Sequence, residues 1–234
     1  MSRPTKSQDP RELPAYGLSE AAHYLRIPRA TLRAWVMGRS YPKGSGLALA
    51  RPLFHLPKPG QPVLSFLNLV EAHVLDAIRR EHQVSLQRVR KALDLLLRHV
   101  PSRHPLADQQ FATSGLDLFV ERYGELINLS RDGQLAMREV LAAHLKRIDH
   151  DPSGVPIRLF PFTRNRELEE PLGVVIDPFV SFGRPVLHGT GIPTAVVAER
   201  YKAGESIDSL AVDYGRSRLE IEEAIRCELE VDAA

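Results

Sequence analysis

Arg29, Thr31 and Arg33 follow Pro28 in the run Pro28-Arg29-Ala30-Thr31-Leu32-Arg33-Ala34-Trp35. Proline suits the first position of a helix, so these three residues fall in its opening turns. There the backbone N–H groups are free and the helix dipole is positive, and two guanidinium groups beside a hydroxyl can meet phosphates and base edges together. The chemistry on offer is recognition of a polyanion rather than bond making. Arg26 stands in the turn just before, and Arg39, Lys43, Arg51 and Lys58 follow within thirty residues. Of these, Arg26, Arg39, Lys43 and Lys58 join the first three as candidate DNA contacts, through the backbone or the minor groove.

Reactive sites are harder to find. The chain has nine histidines and one cysteine, yet no His-Glu-x-x-His, no paired-cysteine ligand set, no glycine-rich phosphate loop and no serine elbow. It is therefore expected to hold no metal, to use no cofactor and to be no enzyme. Cys227 lies on a helix among acids, which discourages thiolate chemistry, and it cannot form an intrachain disulfide. With no leader and no apolar run near the roughly 18 residues that cross a bilayer, the expected location is the cytosol.

The 234 residues are 43% hydrophobic and 26% charged, ordinary globular usage, and the net charge is only +2. By segment the balance is uneven: residues 1–105 carry +10, 106–165 carry −1 and 166–234 carry −7. A basic front half attracts polyanions and an acidic back half attracts basic surfaces.

The elements that must position these residues are mainly helical, with small β pieces. Residues 1–13 read as a disordered tail. Ser19 can cap a first helix with Ala22 and Leu25 inside. Leu32, Trp35 and Val36 form the buried stripe of a second, which Gly38 closes, so the pair is a helix-turn-helix candidate. Residues 39–50 are expected to be loop. Extended pieces at 51–56 and 63–66, joined by a turn that carries Lys58, look like a wing. Leu67, Val70, Val74 and Ile78 then line a third helix, and Val89, Leu93, Leu96 and Val100 line a fourth, capped by Ser85. The spacing assigns 14–105 to this unit and 106–165 to a mixed α/β connecting subdomain. In that subdomain, strands are expected at 116–120 and 126–130, a turn at 131–133, a helix with Met137, Leu141, Leu145 and Ile148 on one side, and an edge strand at 155–162. Residues 166–234 begin with a short strand at 174–176 and end in three helices capped by Thr194, Ser206 and Ser217, the last with Glu220 as a capping box.

The N-terminal run, with Leu18-Ser19-Glu20-Ala21-Ala22 before it, resembles the winged-helix DNA-binding domain of MerR-like regulators over about ninety residues. Gly183-Arg184-Pro185, Gly189-Thr190-Gly191-Ile192-Pro193 and Gly204-Glu205-Ser206 resemble the VapB-like antitoxin family of the domain of unknown function 433, over about sixty. Gly191 departs from the arginine common in that family, so any contact made by that arginine is missing. Together the resemblances imply the antitoxin of a type II toxin–antitoxin pair. Its partners would be operator DNA, bound as a homodimer or a larger complex with toxin, and a PIN-like ribonuclease toxin. Arg184, His188, Glu222, Glu223 and Glu230 would be the toxin-facing candidates. A free-standing transcription regulator, whose C-terminal domain dimerises or senses a signal, is the alternative, and the last helix is too acidic to favour DNA.

Overall fold

A computed structural model describes residues 9–43, 46–80, 86–96, 98, 102–128, 130–164 and 170–229. The N-terminal head opens with a two-residue strand, β1 (Tyr16–Gly17), and helices α1 (Leu18–Leu25) and α2 (Arg29–Met37). Gly17, rather than Ser19, caps α1, and the turn to α2 is closed by Arg26 in a left-handed conformation, φ 54°. Leu32, Trp35 and Val36 of α2 are fully buried, as their spacing requires.

The wing differs from the expectation. Residues 39–50, read as loop, form the antiparallel hairpin β2 (Arg39–Lys43) and β3 (Gly46–Ala50), paired from Arg39↔Ala50 to Lys43↔Gly46. Gly38 makes the corner at φ +75°, where a Cβ would lie 2.1 Å from the Ala50 carbonyl oxygen, so only glycine allows helix and hairpin to approach this closely. The segment 51–62 has no strand, because Pro52, Pro57, Pro59 and Pro62 interrupt any ladder. Only β4 (Val63–Leu64) remains of the second extended piece, and it pairs with β1 rather than with a neighbouring wing strand.

Helix α3 (Phe66–Arg80) is the centre of the molecule. Its apolar residues, from Phe66 and Leu69 to Leu75 and Ile78, are buried on every side, and so are Asn68, Glu71 and His73. These polar groups are satisfied internally: Asn68 Nδ2 donates to the His55 carbonyl at 3.0 Å, and the His73 ring meets the His144 carbonyl at 3.1 Å. Helix α6 (Arg131–Leu145) packs against α3, and α5 (Leu116–Ile127) packs against both α6 and α4 (Leu86–Leu96), so all four share one core. Ser85, His99, Val100 and Glu230 lie outside the described residues.

The two strands expected at 116–120 and 126–130 are therefore a single helix in the first case and its end in the second. Leu116, Phe119, Val120 and Tyr123 recur at three- and four-residue spacing and are all buried, and Asn128 ends the helix in a left-handed conformation. Residues 131–133 are not a turn but the first turn of α6, capped by the Ser130 hydroxyl. Ile148, expected on that helix, begins β5 (Ile148–His150), which pairs with β6 (Pro156–Leu159). One apolar core runs from Tyr16 to Ile176, so residues 106–165 share the core of the head. Part of the expected tail is also ordered: Pro10–Glu12 form one turn of 3₁₀ helix, held by Arg11, whose Nη1 meets Asp151 at 2.6 Å.

The C-terminal unit pairs β7 (Val174–Val175) with β8 (Val186–Leu187) and stacks α7 (Thr194–Lys202), α8 (Ile207–Tyr214) and α9 (Arg218–Glu228). Its own small core is Leu187, Val197, Leu210, Ile221, Ala224 and Ile225. The Ser206 cap and the Ser217–Glu220 capping box are present as expected. Thr194 is not the cap of α7, which is Pro193; its buried hydroxyl instead donates to the Pro185 carbonyl at 3.2 Å and bonds Glu228. Tyr201 on α7 is 40% exposed.

Candidate functional site

The buried stripe of α2 leaves its opposite face to solvent, and that face carries Arg29, Ala30 and Arg33, with Thr31 half-buried beside them. Arg39 follows directly at the base of β2 and is also exposed. The chain leaving the hairpin is tied back to the helix by the Leu53 N–H, which donates to the Trp35 carbonyl at 2.8 Å. The Arg79 guanidinium lies 5.5 Å from the centre of the Trp35 ring, a cation–π contact that braces the helix from behind. A row of exposed arginines on one helix, continued onto a β-hairpin, is a geometry that can lie along a groove of duplex nucleic acid. Lys43 is the last residue of β2, while its side chain is outside the description. Lys58 is exposed, but in the turn after the hairpin rather than at its tip.

Arg26 does not belong to this set. The half-buried guanidinium points away from the exposed face of α2 and donates to the carbonyl oxygens of Arg164 at 3.0 Å and Arg226 at 2.8 Å. Its role is to tie the head to the C-terminal unit. Two further ties come from the same end of the head: the Tyr16 hydroxyl donates to the Gly183 carbonyl at 3.0 Å, and Glu20 pairs with Arg184. Arg184, expected to face a partner, makes this pair while its side chain stays 51% exposed. No sequence signal distinguished Arg26 from Arg29, since the carbonyl partners of its guanidinium lie 138 and 200 residues away.

Among the acidic candidates the structure separates neighbours. Glu223 is 1% exposed, accepting from Arg164 Nε at 2.8 Å and Nη2 at 2.6 Å, from Arg226 Nη1 at 2.8 Å and from the Thr163 hydroxyl. It is a structural charge and cannot meet a partner. Glu222, one residue earlier, is half-buried and holds Arg218 and Arg226 at 3.2 and 3.0 Å. His188 is exposed, its ring edge-on to Phe160 with centres 5.0 Å apart. Burial pushes the Cys227 thiol up to about 12, and the neighbouring Glu228 charge pushes the same way; such a thiol stays protonated and inert.

Other groups had no local signature in the sequence. Arg147 is buried and donates to four carbonyl oxygens, those of Phe160, Pro161, Glu170 and Pro171, at 2.7 to 3.1 Å. Phe179 and Phe182 are 61% and 95% exposed in the loop before β8. Among the described residues, no cluster of three or more histidine, cysteine or acidic groups could hold a metal ion, and no helix is long and apolar enough to cross a membrane.

The fold and this surface define a protein with a helix-turn-helix head of DNA-binding type and a separate C-terminal helical unit. The family described as "Putative DNA-binding HTH domain" matches residues 14–93, and that described as "Protein of unknown function (DUF433)" matches 174–226. A protein of Mycobacterium tuberculosis named "Putative antitoxin VapB45" is 33% identical over 92% of this chain and 93% of its own length, and the chain belongs to its family. An "Uncharacterized protein Rv2308" of the same organism is 24% identical, over 90% of this chain and 88% of its own. The crystal structure of Rv2018, also from Mycobacterium tuberculosis, superposes with a TM-score of 0.65 at 27% identity, covering 91% of this chain and 98% of that one.

Proposed function

We propose that this protein is an antitoxin that binds its own operator as a homodimer and neutralises a PIN-like ribonuclease toxin encoded beside it. The observation that carries the reading is the pairing of an exposed arginine row, Arg29, Arg33 and Arg39, with a C-terminal segment of net charge −7, in a family named for an antitoxin. The first surface suits phosphates and base edges. The second suits a protein with a basic channel, as a ribonuclease must have, and repels DNA. Thr31, Lys43 and Lys58 supplement the DNA surface. Glu222, His188 and Arg184, whose side chain is exposed beside its partner Glu20, remain as contacts to the toxin.

The test is co-expression of the full chain with the product of the adjacent gene. Rescue of growth from that product, together with a gel shift of the chain on its own promoter, is expected. Binding to the promoter without rescue or co-purification would instead mark a free-standing transcription regulator.

A further inference from the structure

The loop that leads into β8 spends conformational energy on an exposed ring. Ser181 and Phe182 both have left-handed backbones, φ 47° and 56°, a region that side-chain-bearing residues avoid, bulky ones most of all. Such conformations persist where surrounding structure imposes them, and they gather at clamps and binding sites. Here the enforced result is a phenylalanine 95% exposed, with Phe179 at 61% three residues before it. Among the described residues the Phe182 ring gains almost no burial in return.

The base of the loop is rigid. The Asp177 carboxylate accepts from the Phe179 N–H at 2.8 Å, the Gly183 N–H donates to the Val180 carbonyl at 2.9 Å, and the Ser181 hydroxyl reaches the Gly191 carbonyl at 3.3 Å. On the inner side a Cβ on Gly183 would stand 2.4 Å from the Tyr16 hydroxyl oxygen, so the loop sits directly against the head. A ring presented on a fixed base loses little freedom when it is buried by a partner, which favours its use as an anchor.

We infer that Phe182, supported by Phe179, is the anchor through which the C-terminal unit docks a folded protein presenting an apolar pocket rimmed by basic side chains. A ring this exposed could also stack on a nucleic-acid base, but the C-terminal segment 166–234 that bears it carries −7 as a whole, with Arg184 its one cation in the loop, and a net charge of that sign disfavours phosphates. The same charge attracts a basic rim. This assignment rests on the antitoxin reading and names the part of the surface that carries most of the contact.

The experiment compares the full-length chain with Phe182→Gly and Phe179→Ala by calorimetric titration against the purified product of the adjacent gene. Glycine is at home at φ 56°, so Phe182→Gly should melt at the same temperature or higher and shift promoter DNA unchanged. Its affinity for the gene product should fall roughly 30-fold or more, the loss expected of a hot-spot aromatic. Undiminished affinity and rescue by Phe182→Gly would overturn the anchor and leave the antitoxin reading standing. A wild-type chain that binds no such product would remove both. A lower melting temperature would show that the ring packs in its own chain, and a wild-type dimer that dissociates on Phe182→Gly would assign the surface to a second copy; either result overturns the proposal.

Discussion

Replacing Glu223 by lysine should unfold the C-terminal unit, although in sequence Glu223 stands with Glu222 and Glu230 among the carboxylates expected to face a partner. Glu223 is 1% exposed and accepts from two arginines and a threonine. Breaking a buried ion pair by removing one partner typically costs about 3–5 kcal/mol. Here the Arg164 and Arg226 side chains are 36% and 38% exposed and can recover water, so Glu223→Ala should cost less, about 2–4 kcal/mol. Glu223→Gln keeps the shape and loses the charge, at about 1–2 kcal/mol. Glu223→Lys sets a third cation between two arginines and should exceed about 4 kcal/mol. For a chain of this size each kcal/mol lowers the melting temperature by about 2–4 °C. Glu223→Ala should therefore melt about 4–16 °C below wild type. Glu222→Lys, whose carboxylate is half-buried and pairs only with partly exposed arginines, should stay within about 1 kcal/mol. Thermal melts followed by circular dichroism, with urea midpoints as a check, give the ranking. If Glu223→Lys melts within about 2 °C of wild type, the buried-carboxylate argument is wrong.

Three further outcomes are expected. Arg29→Ala and Arg33→Ala should each weaken promoter binding by about 1–3 kcal/mol where the residue reads a base edge, measured by gel shift at fixed salt, with no change in melting temperature; Arg26→Ala should do the reverse, lowering stability through its two lost carbonyl contacts. Burial pulls the pKa of His104 down, but its hydrogen bond to Glu71 and the charges of Glu71 and Glu12 outweigh this and leave it raised. A raised folded-state pKa stabilises fully below the unfolded value of about 6.5 and fades as pH climbs through the folded value, so urea midpoints should fall from pH 6.5 toward 8 and His104→Gln should flatten that slope. Cys227, with its pKa pushed up to about 12 by burial, should resist thiol reagents in the native protein and react stoichiometrically in urea; fast native labelling would contradict its placement.

The helices with clean three- and four-residue spacing were legible: the stripes Leu32–Trp35–Val36 and Ile221–Ala224–Ile225 are buried as read. So were the caps at Ser206 and Ser217, because capping is local chemistry. The wing was misplaced because a glycine-rich stretch can be loop or hairpin, and Gly38 chooses the hairpin through a contact with Ala50 that is twelve residues distant. Short apolar runs such as 116–120 are ambiguous between strand and helix, and here packing against α4 and α6 decides. The site was half legible. Arg29 and Arg33 are exposed where the motif put them, and Arg39 after it is exposed too, whereas Arg26 and Glu223 are drawn into the chain by partners 138 and 59 residues away in sequence, which no local pattern records.

Those long-range partners also limit how the two activities can be dissected. The core is continuous from Tyr16 to Ile176, so a fragment ending near residue 105 would strip Phe111, Phe119, Tyr123, Met137 and Leu141 from α3 and α4. Each buried side chain of that size contributes about 1.5–3 kcal/mol, and their combined loss rivals the whole stability of a small domain, about 5–15 kcal/mol. The C-terminal unit has six residues in its own core and leans on the head through Tyr16, Glu20 and Arg26. Truncation therefore removes stability and binding surface together, and a negative result from either fragment says nothing about which surface binds DNA or partner. Point substitutions on exposed side chains of the full chain, Arg29 and Arg33 at one end and Phe182 at the other, change one surface while the shared core stays whole.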